Sequence, residues 1–251
     1  MSHKTQIAEQ IIPMPPMEFQ VLVCGTAENA QFFETFGRWL VAFLDYEGML
    51  RPGTALLDVG CGCGRLPRYL VSSPIESYTG FDRHSGMIEW CKREIRDSRF
   101  KFDFFELKSA YTAWDEQQGA INAADFAFPY ADGSFDSCML ASVFTHMPPN
   151  EVRHYLGELA RVMRPGGKVL LSIFFSKDGA VETHDDGINV FHDPKEFAAD
   201  FQRSPFDVHR VGHRLTPGVG FEPGAGTADL LFGYAHNWHV LTKRGEKSER
   251  I

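Results

Sequence analysis

The chain has 251 residues, of which 43% are hydrophobic and 23% charged, a balance that excludes a disordered chain and allows one large domain or two small ones. Its formal charge is −8, from 25 basic and 33 acidic residues, and it has no basic stripe before Lys243, so general nucleic-acid binding is not expected. Five scattered cysteines without a CxxC pair, no apolar run near the ~20 residues of a membrane helix and no signal-peptide pattern point to a reduced, cytoplasmic protein with no membrane attachment.

In chain order, residues 1–16 read as a loose arm carrying Pro13, Pro15 and Pro16. Apolar residues at helical spacing then predict an amphipathic helix over 30–49, broken by Arg51-Pro52-Gly53. Strands are expected at 54–59, 77–81, 100–105, 135–142 and 168–175. Helices are expected between them at 65–72, 86–96 and 150–163. This alternation implies βαβ units and a parallel sheet. Residues 106–125 fit neither period and read as a loop with one helical turn. Beyond 176 the pattern gives a short helix at 193–201, with Pro194 in its first turn, and strands at 207–215 and 235–243. The glycine-rich stretch 216–233 between those strands reads as a functional loop. The resulting division is an arm over 1–29 and a domain over 30–251, with its core at 50–176 and a substrate or lid portion at 177–251.

The most informative segment is Asp58-Val59-Gly60-Cys61-Gly62-Cys63-Gly64-Arg65, where a strand gives way to a helix. Glycines permit a sharp turn at positive φ and bring a ligand close to bare main chain. The pyrophosphate fingerprint fails, because its last position falls on Arg65 or Pro67. That disfavours a nicotinamide oxidoreductase. An acidic residue ahead of three alternating glycines suits a ligand with a ribose, no phosphates and an ammonium group. Asp82, ending the second strand, can accept both ribose hydroxyls; alternatively Asp82 or Ser85 caps the next helix.

Together with Gly80-Phe81-Asp82, the 128–136 segment FPYADGSFD, Ser142-Val143-Phe144-Thr145-His146-Met147 and Arg164-Pro165-Gly166-Gly167, this turn resembles the class I S-adenosylmethionine-dependent methyltransferases over residues 36–175. The resemblance implies a Rossmann-like, doubly wound, seven-stranded αβα fold, mainly parallel, with an antiparallel last strand inserted beside its neighbour. It implies that Asp58, Gly60, Cys61, Gly62 and Gly64 hold the amino-acid end of S-adenosylmethionine. Asp82 would take the ribose, Arg83 and Met87 would flank the adenine, and Asp125, with Phe126 beside it, would reach the adenine amino group. Ala141 and Ser142 would lie under the sulfonium. The implied activity is methyl transfer to a small-molecule acceptor, at oxygen in the first instance. Nitrogen or carbon as acceptor atom, and a non-catalytic cofactor-binding module, stay open as alternatives. His146, just past the fourth strand, is the candidate general base, since an imidazole ordinarily titrates at about pH 6.5. No metal is expected. Asp185, Asp186 and His192 have no diagnostic spacing, and Cys61 and Cys63 lie in a turn without a second pair. His209, His213 and Trp238 read as structural. Phe33 and Phe36 read as core that could also close over the substrate. The oligomeric state, a homodimer included, stays open.

Overall fold

The computed structural model describes residues 12–108, 119–177, 179–183, 189–210, 213–216, 220–223 and 236–245. Helices α1 (Met17–Cys24), α2 (Ala27–Ala30) and α3 (Phe33–Tyr46) precede strand β1 (Ala55–Val59). Then follow α4 (Pro67–Leu70), β2 (Ser77–Asp82), α5 (Ser85–Glu94), β3 (Phe100–Phe104), β4 (Phe135–Leu140), α6 (Pro149–Val162) and β5 (Met163–Phe175). The remainder comprises β6 (Glu182–Thr183), β7 (Val190–His192), α7 (Pro194–Arg203), β8 (Phe206–Arg210), β9 (His213–Thr216), β10 (Gly220–Pro223) and β11 (Asn237–Lys243).

All five residues of β1 are buried, as befits a central strand covered on both faces. The main path of the sheet runs β3-β2-β1-β4-β5-β11-β8, with β7 pairing the end of β5 and β6 pairing β7. Strands β1 to β5 pair in parallel. Strand β11 is antiparallel to both neighbours, β5 and β8. This is the Rossmann-like arrangement expected, with the last strand inserted. Chain direction across the sheet reverses between β1 and β4, so their carboxyl ends open the crevice where ligands of such sheets bind.

Side-chain alternation builds two cores. Leu56, Tyr78, Met139, Leu170 and Val240 pack with α3, α4 and α5. Leu57, Phe81, Cys138, Val169 and Leu171 pack with α6 and α7. Each fully buried Leu or Phe contributes about 1.5–3 kcal/mol of transfer free energy. The amphipathic stripe of α3 buries Phe33, Phe36, Leu40, Phe43 and Leu44. Its Trp39 meets Trp238 of β11 edge-on at 5.5 Å. Phe33 and Phe36 are thus core; the residue of α3 that reaches the cavity described below is Leu40.

The expected strand over 207–215 divides into β8 and β9, and β9 pairs with β10 rather than with the main sheet. Strand β4 stops two residues earlier than expected, because Ser142 adopts φ +59° with its N–H held by the Ser172 hydroxyl at 2.9 Å. Residues 17–24, part of the expected arm, form α1. Most of the glycine-rich stretch 216–233, and residues 184–188, lie outside the described residues. No helix among the described residues is long and apolar enough to cross a membrane.

Candidate active site

The turn after β1 is shaped by its glycines and tied down by Asp82. Gly60 and Gly62 sit at φ +72° and +54°, where an L side chain is strained. The N–H groups of Gly60 and Cys61 donate to the Phe81 carbonyl at 2.9 and 3.0 Å. The Gly62 N–H donates to Asp82 Oδ2 at 2.8 Å, and the His84 N–H donates to Asp82 Oδ1 at 2.9 Å. Asp82 therefore straps the glycine turn to the end of β2. The cap of α5 is His84, whose Nδ1 accepts from the Met87 N–H, rather than Asp82 or Ser85.

Asp58 is 1% exposed. Its Oδ2 accepts a 2.6 Å hydrogen bond from the Tyr78 hydroxyl, while its Oδ1 is enclosed and has no hydrogen-bond partner among the described residues. Gly80 makes this pairing sterically feasible, since a Cβ there would lie 2.7 Å from the Tyr78 oxygen. Burial pushes the Asp58 carboxyl up to about 7, although the Tyr78 hydroxyl and the Arg65 guanidinium pull the other way. Burial also raises the Asp82 carboxyl, against the pull of its two backbone N–H donors.

These groups face a cavity of about 550 Å³. It gathers Asp58, Gly60, Cys61, Gly62, Asp82, Arg83, Met87, Ala141, Ser142 and His146, ten of the thirteen residues singled out from sequence. Arg83 donates through Nε to the Leu107 carbonyl at 3.2 Å, and Met87 is buried. The thiol of Cys61 is held well above its usual range by burial. His146 lies on a single 3-10 turn, Phe144–His146, between β4 and α6. Three residues fall elsewhere. Gly64 packs away from the cavity, where a Cβ would touch the Cys91 sulfur at 3.1 Å. Asp125 is exposed, its Oδ2 accepting from Asn122 at 2.9 Å. Phe126 is buried among Phe81, Phe105 and Phe128. Of the metal candidates, His192 is buried with Nε2 3.0 Å from the Phe144 carbonyl oxygen, and Asp185 and Asp186 lie outside the described residues.

Other lining residues were not anticipated. Leu22 and Val23 of α1 roof the glycine turn. Arg65, immediately after the glycines, is buried with its guanidinium 4.4 Å from the Phe36 ring centre. Glu151 and Tyr155 project from α6. A sequence signal did exist for Arg65, which sits within the glycine motif, and for Glu151, which follows a Pro-Pro pair.

The family described as "Methyltransferase domain" matches residues 57–171, which run from β1 into β5 and carry the glycine turn, Asp82 and His146. Over those residues, just under half of the chain, the sequence is similar to methyltransferase domains. The chain is 30% identical over 125 residues to the 27-O-demethylrifamycin SV methyltransferase of Amycolatopsis mediterranei, covering 50% of this chain and 40% of that protein. Across three curated relatives the match spans 37%, 40% and 46% of their own length. By structure, the chain is similar to the 1,6-didemethyltoxoflavin-N1-methyltransferase of Burkholderia thailandensis, solved with 1,6-didemethyltoxoflavin and S-adenosylhomocysteine. The TM-score is 0.54 at 16% identity, over 92% of that chain and 93% of this one. It is also similar to the [4+2]-cyclase SpnF, with a TM-score of 0.56 at 18% identity, over 81% of that chain and 84% of this one. Identities this low speak for the fold alone.

Proposed function

We propose that this protein moves the methyl group of S-adenosylmethionine to a hydroxyl oxygen of a small-molecule acceptor. The observation that carries the reading is the enclosed Asp58 Oδ1 at the base of the cavity, without a hydrogen-bond partner among the described residues. A buried carboxylate oxygen without a donor is costly, and a cofactor ammonium supplies the missing one. Asp82 keeps its two backbone donors and offers its remaining lone pairs to ribose hydroxyls. Arg83 and Met87 would hold the adenine, and the backbone at Ala141 and Ser142 would hold the sulfur end.

The bound cofactor contributes an electrophilic methyl group on a positively charged sulfur. The chain contributes position, dryness and a proton acceptor. Leu22 and Val23 exclude water from above. Alignment of two reactants in one cavity can account for about 7–11 kcal/mol of the barrier. His146 takes the acceptor proton as the oxygen–carbon bond forms. Oxygen as the acceptor atom draws support from the O-methylating rifamycin relative. The alternative is a module that binds the cofactor without spending its methyl group.

Calorimetry with S-adenosylhomocysteine and NADH tests the cofactor, and a mass gain of one methyl on the acceptor separates the two readings. His146→Ala should lower turnover by about 10²-fold while leaving S-adenosylhomocysteine affinity within about twofold. Equal turnover in variant and parent removes His146 from the chemistry.

A further inference from the structure

Three carboxyl groups line the cavity among the described residues: Asp58, Asp82 and Glu151. On the cofactor reading above, the first two are occupied. Glu151 belongs to the first turn of α6, alongside His146 and Met147 on the acceptor side. A glutamate at the third position of a helix ordinarily folds back onto the N–H of the N-cap residue. Here the N-cap is Pro148, which has no N–H to offer. The half-buried Glu151 side chain makes no hydrogen bond or ion pair with another described residue.

Tyr155 stands one turn further along the same face of α6. It is 2% exposed, with its ring edge-on to Phe128 at 5.0 Å. Its hydroxyl makes no hydrogen bond with another described residue; burial and the nearby Glu151 carboxyl raise it above the usual phenol range. The same cavity wall includes the apolar side chains of Leu107, Ala123, Val143, Met147 and Val190. Arg65, Arg83 and Lys108 balance the three carboxyl groups in this lining, and a bound sulfonium would add the positive charge that disfavours a cationic acceptor. A neutral hydroxyl satisfies both groups at once, donating to a carboxylate and accepting from a phenol.

We propose that Glu151 and Tyr155 together grip a neutral hydroxyl on an otherwise apolar acceptor, and so select the substrate class of this site. The proposal rests on the cofactor reading above. The test uses the full chain loaded with S-adenosylhomocysteine and titrated by calorimetry with 2-naphthol, 2-methoxynaphthalene and the cationic 2-naphthylmethylamine. The native chain should bind 2-naphthol in preference to both analogues. Glu151→Gln and Tyr155→Phe should each weaken 2-naphthol by about tenfold, leaving 2-methoxynaphthalene and S-adenosylhomocysteine within about twofold. Glu151→Asp should recover part of the loss, which a merely structural role would not produce. Absent 2-naphthol binding, equal binding in native chain and variants, or preference for the amine overturns the proposal. If S-adenosylhomocysteine itself fails to bind, the cofactor reading fails, and the proposal falls with it.

Discussion

On the proposed reading, Asp58 holds the ammonium end of the cofactor. Its carboxyl is raised from 3.8 to about 7, so the unliganded protein holds it partly protonated near neutrality. An ammonium favours the ionised form, and binding must then expel the proton. The sign follows: S-adenosylhomocysteine affinity should fall as pH drops below 7, approaching about tenfold per unit. Calorimetry at pH 6 in buffers of different ionisation enthalpy should register release of nearly one proton, and Asp58→Asn should abolish it. Affinity in the native chain that is flat between pH 6 and 8 would contradict this role. At this scale the sequence was most legible where a residue type sits at a strand end. Asp58, Asp82 and the glycines declare themselves because β1 ends at the switch point and β2 ends beside it. Glu151 was hidden because a first-turn acid looks like any helix-stabilising charge. Tyr155 was hidden because a periodic aromatic looks like core. What sets them apart is the cavity they share, and three dimensions are needed to see it.

Among the elements, α1 and the glycine turn act as one unit. A Cβ on Gly62 would lie 2.9 Å from Val23 Cγ2, at a φ of +54°. Gly62→Ala should therefore cost about 1–3 kcal/mol in urea unfolding and weaken S-adenosylhomocysteine binding. Adding Val23→Ala should return part of the stability, because it removes the clash but not the strain; strict additivity would show that α1 does not press on the turn. A second junction fastens residues 128–132 to α6. Arg161 donates to the Phe128 and Tyr130 carbonyls at 2.8 and 2.7 Å and pairs with Glu158 and Asp132. Arg161→Ala should destabilise the protein by roughly 2 kcal/mol in the same assay, since it strands two carbonyls at once. Alternation of strands and helices made most elements readable from period alone. Helix α1 escaped because three prolines precede it, its N-cap Pro16 offers no side-chain cap, and Val21-Leu22-Val23 suits a strand as well as a helix. The division between β8 and β9 escaped because Val208, Val211 and Leu215 keep an apolar residue every three or four positions across it.

For the molecule as a whole, ligand linkage gives the broadest check. S-adenosylhomocysteine at about 100 times its dissociation constant should stabilise the fold by ~2.7 kcal/mol, a rise in Tm of about 5–10 °C for a chain of this size. NADH at equal concentration should leave Tm unchanged; a rise with NADH instead would favour a dinucleotide site. The topology also bears on how the chain is made. Strand β11 contributes Val240 and Leu241 to the two cores and separates β5 from β8, so the sheet closes only when the strand made after all the others described slots into its interior. Until residue 243 clears the ribosome, Val169, Leu170, Leu171 and Ile173 on β5 border an open, sticky edge, the kind of surface that recruits chaperones or neighbouring nascent chains.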